Sequence, residues 1–307
     1  MKPVVTLGAF SQARVLVAGL TLSIFIFGLT ACGGGGGGSS TPPVQNSFAI
    51  PTGVYAGTGN FTGTQTINGY TSYFNTAPYL LGFVTSAGNY MLLSYSTGSP
   101  NVVSHIDTGS GSALNGSFTA SNNLNSTMYP SIPIYSNQGG TLSASFVSNT
   151  NLIGTITYAG TQNASLSFPL GYAVASTMPA TLAAVAGTYS GAFEANINTS
   201  GYGNLPPITS TFTISSTGVL AGTVLCQLNS LSPPPNPQPC TVSGIVTARS
   251  DLNAYDVSIS FANGVGGSLI SGFTGKTATG LGYYDSVSKK IMFGTVAPDN
   301  TAFAFAN

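Results

Sequence analysis

From Phe48 onward the apolar residues fall in short runs that are apolar at alternate positions, rich in Tyr, Phe, Val, Ile and Thr, and separated by Gly and Asn. A period of two residues places one side of each run on a buried face and the other in solvent, which is the signature of β-strands and not of helices. A first set of eight such segments covers 54–62, 79–85, 89–96, 102–106, 114–120, 142–148, 152–158 and 164–168. A second set covers 188–197, 208–215, 219–225, 241–248, 254–261, 268–273, 277–284, 290–296 and 302–306. Asn68-Gly69 and Gly88-Asn89 are turn signals, because Gly and Asn accept positive φ at small cost. Only 179–187 carries helix formers, with proline at its start and glycine at its end, and it reads as one or two helical turns between the sets.

Short strands without crossover helices imply antiparallel pairing, in a closed barrel or a two-sheet sandwich for each set. Closure suits this chain, since it has few lysines to guard an open sheet edge. An internal echo supports the division into two. Gly53-Val-Tyr55-Ala-Gly57-Thr58 opens the first set and Gly187-Thr-Tyr189-Ser-Gly191-Ala192 the second, so both tyrosines point to the same face of a first strand.

The N-terminus is of another kind. Lys2 and Arg14 precede an uncharged apolar run, 15–29, too short to span a bilayer comfortably, and Leu29-Thr30-Ala31-Cys32 is followed by six glycines. These four residues resemble the lipobox of bacterial lipoproteins. That resemblance implies cleavage before Cys32, a lipid-modified cysteine as the new first residue, and anchoring by several acyl chains at roughly 0.8 kcal/mol per methylene. Gly33, where inner-membrane retention in enteric bacteria usually requires Asp, implies the outer membrane. The chain is thus expected to divide into a signal peptide (1–31), an acylated cysteine with a flexible Gly-rich tether (32–47), a first β domain (48–175), a short helical linker (176–186) and a second β domain (187–307). A membrane-embedded barrel is disfavoured, because most strands are shorter than the roughly nine to eleven residues needed to cross.

Beyond the cytosol thiols oxidise, so Cys226 and Cys240 are expected to pair. The loop between them contains Pro233, Pro234, Pro235, Pro237 and Pro239, and a bridge across it is worth about 3 kcal/mol in the chain-entropy view. No His or carboxylate lies near enough in sequence to complete a metal shell with them.

Charged residues make up 4% of the sequence. No cluster of Lys and Arg exists to bind a phosphate backbone, which excludes nucleic acid as a partner. Catalytic groups are equally scarce. Asp107-Thr108-Gly109-Ser110 matches the short core of the aspartic peptidase signature, but that chemistry needs a second aspartate from a matching loop, and no second Asp-Thr-Gly occurs. The competing reading is a hairpin turn, with His105 a surface or cross-strand residue. Arg249, Asp251 and Asp256 bracket another turn and read as solvated loop ends, and Asp285 and Asp299 lack the ligand spacing of a calcium loop. No cofactor is implied.

Aromatic residues are the better indication of binding. Tyr70, Tyr73, Phe74 and Tyr79 cluster in a segment read as loop, and Tyr202 lies in a Gly/Asn-rich stretch; exposed tyrosines contact protein or carbohydrate at low entropic cost. Architecture and tether together resemble the Gram-negative surface lipoproteins built from small β-barrels, of the transferrin-binding and factor-H-binding types. That resemblance implies a non-enzymatic binding, adhesive or envelope-structural role. Those proteins are rich in Lys and Glu, so their binding residues do not carry over. A carrier of a small apolar ligand inside a barrel is the alternative.

Overall fold

The computed structural model describes residues 49–67, 70–96, 99–127, 139–159, 163–173, 179–196, 208–225, 239–262 and 275–307. They form two closed, eight-stranded antiparallel barrels in tandem. The choice between barrel and sandwich thus falls to the barrel.

In the first barrel β1 (Gly53–Thr58) and β2 (Asn60–Ile67) are one chain path broken at Gly59, and β3 (Tyr70–Thr76) and β4 (Tyr79–Val84) are another, broken at Ala77-Pro78. The wall continues through β5 (Asn89–Ser96), β6 (Ser99–Leu114), β7 (Ser117–Thr127), β8 (Gly140–Val147), β9 (Asn151–Tyr158) and β10 (Ser165–Tyr172). Pairing of Tyr55 with Tyr172 closes the ring. β2 meets β10 only from Asn60 to Thr62; beyond that it pairs with β3 alone, so the β2–β3 hairpin forms a two-stranded arm. A stretch that reads as loop is therefore strand. β6 runs through 107–110 without turning, and the expected hairpin at Asp107-Thr108-Gly109-Ser110 does not exist. Polar Ser, Thr and Gly on its outer face hid a sixteen-residue strand behind a turn-like composition.

A single helical turn, α1 (Leu182–Val185), capped by the Thr181 hydroxyl on Ala184 N–H, precedes the second barrel. Its wall is β11 (Gly187–Asn196), β12 (Ile208–Ile214), β13 (Val219–Leu225), β14 (Pro239–Ala248), β15 (Tyr255–Ala262), β16 (Thr277–Asp285), β17 (Lys290–Val296) and β18 (Ala302–Ala306), closed by β11 against β18. The candidate strand at 268–273 lies outside the described residues.

The two barrels repeat one plan. Tyr55 donates its hydroxyl to Pro51 O at 2.9 Å, and Tyr189 does the same to Val185 O at 2.7 Å, each four residues back. The β4–β5 turn has Gly88 at φ 80° and Asn89 N–H on Thr85 Oγ1; the β12–β13 turn has Gly218 at φ 84° and Val219 N–H on Ser215 Oγ. Both glycines accept from the next strand over, from Gly111 N–H and Val246 N–H. Positive φ at these two positions is why glycine recurs there.

Both interiors are filled. The second holds Phe193, Phe212, Phe293, Phe303 and Phe305, with Phe212 and Phe305 centroids 4.8 Å apart, edge to face. A third apolar cluster joins the barrels. Met91, Leu93, Val103 and Ile106 of β5 and β6 face Ala302, Ala304 and Ala306 of β18. Alternation of Ala with Phe in 302–306 turns the phenylalanines inward and leaves small residues at the seam, where Leu93, Ile106 and Met91 approach Gly294 closely. This explains why 90–93 and 80–84 are apolar at every position except Gly82: these strands are buried on both faces.

Candidate binding site

In each barrel most of the described short turns lie at one end. In the first, 85–89 and 115–116 turn tightly, whereas the β2–β3 arm leaves from the other end. In the second, 215–219 and 286–289 are tight and lie at one end, with the 297–301 turn at the other. At the tight ends Ser86 donates its N–H (2.9 Å) and hydroxyl (2.8 Å) to Asp251 Oδ2 in the other barrel. Nearer the opposite ends, Glu194 of β11 sits beside Val103 and Tyr95. The barrels thus lie side by side with the same polarity. Because β1 starts at Gly53 opposite Val84, next to the 85–89 turn, the chain enters the first barrel at the tight-turn end.

Tyr73 stands on the arm, 86% exposed. Tyr70 opens β3 opposite Ile67. Phe74 belongs to the core instead: its ring stacks on Phe61 at 5.2 Å and 15°, over Gly63, where a side chain would strike it. Tyr79 is half exposed and belongs to a different surface from Tyr73. Cys32, Tyr202 and Cys226 lie outside the described residues, and Cys240 is buried at the start of β14.

Asp107 is fully buried inside the first barrel. Its Oδ1 accepts from Asn122 Nδ2 and its Oδ2 from the Tyr158 hydroxyl, both at 2.9 Å, with His105 Nε2 at 3.2 Å from Oδ2. Burial, then Asp107, raises the Tyr158 pKa well above its ordinary value. His105 is therefore an interior residue and not a surface one, and the peptidase reading of Asp107 has no open face for a substrate. The second barrel does without such a cluster. Ser94 pairs with His105 as Val224 does with Cys240, Leu92 with Asp107 as Gly222 with Val242, and Gly109 with Asn122 as Gly244 with Ile259.

Arg249 and Asp251 also depart from expectation. Arg249 Nε is 2.8 Å from Asp251 Oδ1 and its Nη1 2.6 Å from Asp256 Oδ1, and the Arg249 and Asp251 side chains are mostly covered. Burial opposes ionisation of Asp251, but hydrogen bonds from Arg249 and Ser86 outweigh it and hold the carboxyl well below the usual range.

Grooves run along both sides of the seam. One, about 580 Å³, is lined by Asn89, Met91, Ile245, Arg249, Asp256 and Leu281, and its charges are already paired with each other. The other, about 560 Å³, is lined by Tyr79, Leu81, Tyr95, Tyr283, Asp285 and Met292. Four of these went unnoticed in the sequence. Tyr283-Tyr284 carried a signal, since adjacent aromatics on a strand face opposite ways and one of them must leave the barrel interior. Inside the seam, burial pushes Glu194 up to about 9, with the Val103 backbone pulling weakly the other way. Neither of its oxygens, nor the Tyr95 hydroxyl, makes a hydrogen bond of standard geometry.

Fold and seam define a two-barrel β protein with a grooved surface between its barrels. No protein-family model matches the sequence, and no curated protein does either. Among solved structures, transferrin binding protein B is similar. Two mutant forms from Haemophilus parasuis Hp5 overlap 84% and 82% of this chain and 76% and 75% of theirs, at 9% identity and TM-scores of 0.27 and 0.29. The isotype 1 protein from serogroup B Neisseria meningitidis overlaps 83% of this chain and 74% of its own, at 11% identity and a TM-score of 0.29. Overlaps this weak do not carry a fold or a function from one chain to another.

Proposed function

We propose that this protein is an outer-membrane lipoprotein, anchored through acylated Cys32, whose barrels serve a non-enzymatic binding role toward a protein or carbohydrate. The observation that supports this most is the polarity of the barrels. The chain enters at the tight-turn end, so a tether there leaves the opposite end, with the β2–β3 arm and exposed Tyr73, facing away from the membrane. The carrier reading is weaker, because the barrel interiors hold close-packed aromatic side chains where a ligand would sit.

Replacing Cys32 by Ala should move the protein from the membrane to the soluble fraction; retention in the membrane overturns the anchor. Protease added to intact cells and to cells with an opened outer membrane then separates display at the surface from a role in the periplasm.

A further inference from the structure

We infer that the tight-turn end of the two barrels is a lipid-docking surface, seated at the hydrocarbon boundary of the bilayer. Such seating presupposes the anchor at Cys32 and adds orientation to it, since a tether by itself sets only distance. Among the described residues, the large apolar side chains exposed on the surface divide by type. Tyr73 stands on the arm and Tyr79 at the end of β4 remote from the 85–89 turn. The aliphatic ones gather toward the tight-turn end. Leu114 is the last residue before the 115–116 turn, Val147 the last before 148–150, and Val219 closes the 215–219 turn. Ile245 pairs with Val219 across the strands, and Ile153 lies two residues into β9. Val287, within the 286–289 turn, is 87% exposed. The 148–150 turn belongs to this end, because Phe146 N–H donates to Gly116 O and Tyr172 N–H to Thr150 O.

Position, and not strand alternation alone, sets this pattern. The outer face of β8 reads Thr141, Ser143, Ser145 and then Val147, so it turns apolar only at the rim. The turns at 115–116, 148–150 and 215–218 hold no charged residue. Where charges do occur at this end they are matched: Arg249 with Asp251 and Asp256, and Lys290 opposite Asp285 across the strands. Without a basic cluster to select anionic headgroups, the contact is an apolar one. Where the chain enters decides what covers this end. β1 starts here, and segment 33–48 extends to at most about 55 Å, which confines the end to the neighbourhood of the bilayer. Confinement raises the effective concentration of lipid, so shallow contacts by a few aliphatic side chains suffice. Interfacial elements sink about 5–10 Å, the depth of a turn and the first two strand residues at about 3.3 Å each.

The chain contains no tryptophan, so one introduced indole reports a single place. The chain from residue 32 is tethered by an N-terminal hexahistidine tag to phosphatidylethanolamine–phosphatidylglycerol vesicles that carry a nickel-chelating lipid. Emission of the Val287→Trp protein should shift to the blue on the vesicles and be quenched by brominated acyl chains several-fold more than that of the Tyr73→Trp protein. Adding Val147→Asp and Val219→Asp to Val287→Trp should remove both effects. Equal quenching of the two proteins, or none in either, would overturn the docking surface. So would a blue shift that arises without lipid and grows with protein concentration, which assigns this end to a second copy. Because the tag supplies the tether, the result is independent of acylation, which the fractionation of Cys32→Ala reads separately.

Discussion

Ser86 and Asp251, one on a turn of each barrel, are tied by two hydrogen bonds to a single carboxylate oxygen. Asp251 in turn holds Arg249 in place, so a charged network closes one end of the seam. Charge-assisted hydrogen bonds of this kind contribute about 1.5–3 kcal/mol. Asp251→Ala should therefore lower the unfolding free energy by about that amount. The loss should appear in wild type on acidification below about pH 4, because a carboxyl whose pKa is depressed by folding stabilises above its unfolded pKa and ceases to as pH falls through the folded one. Urea unfolding between pH 2 and pH 6 checks both.

Glu194 predicts the opposite slope at the other end of the scale. Its folded pKa is raised from 4.5 to about 9, so the native state holds a proton that the unfolded chain releases. Stability contributed by the neutral acid is fully present below pH 4.5 and declines as pH rises toward 9, by at most about 1.4 kcal/mol per pH unit. Glu194→Gln should flatten the dependence of the melting temperature between pH 5 and pH 9. An unchanged slope would show that the seam does not titrate through this residue.

The Asp107 cluster is replaceable as a unit but not piecemeal. Asp107→Val alone leaves Tyr158, Asn122 and His105 without their shared acceptor and should destabilise by about 3–5 kcal/mol. Adding His105→Val, Asn122→Leu and Tyr158→Phe should recover much of that loss, because the second barrel is apolar at the positions matching 105, 107 and 122. Chemical denaturation of the single and quadruple variants measures the difference.

Pairing of Cys226 with Cys240 is expected to show as a mass increase of about two protons' worth on reduction, with a loss of about 3 kcal/mol in stability. Mass spectrometry of a peptide spanning 226–240 decides it. A peptide already carrying two free thiols when isolated from the envelope would contradict the pairing.

Strand content and antiparallel pairing were legible because they follow from a local period of two; the scarcity of edge-guarding charge favoured closure, but barrel and sandwich were decided only by the pairing of β1 with β10 and of β11 with β18. The duplicated tyrosine was legible as well, Tyr55 and Tyr189 standing at the same step of a repeated motif. The binding surface was only partly so. Tyr73 is exposed, but Phe74, its neighbour, faces the core, since adjacent strand residues point to opposite sides once the segment is strand and not loop. Asp107 in a Thr-Gly-Ser context has the composition of a turn, and only its pairing with Leu92 and Asn125 reveals a strand.

By itself, the sequence determined that this chain builds two similar β units, because hydrophobic period and turn residues are local properties. Tertiary structure alone decided that the units share an apolar seam, that Glu194 and Tyr95 are buried in it, and that Tyr79 and Tyr283 from separate barrels line one groove. Those relationships depend on which outer face of each closed ring meets the other. A period of two separates inside from outside; it does not distinguish an outer face that meets water from one that meets a second barrel.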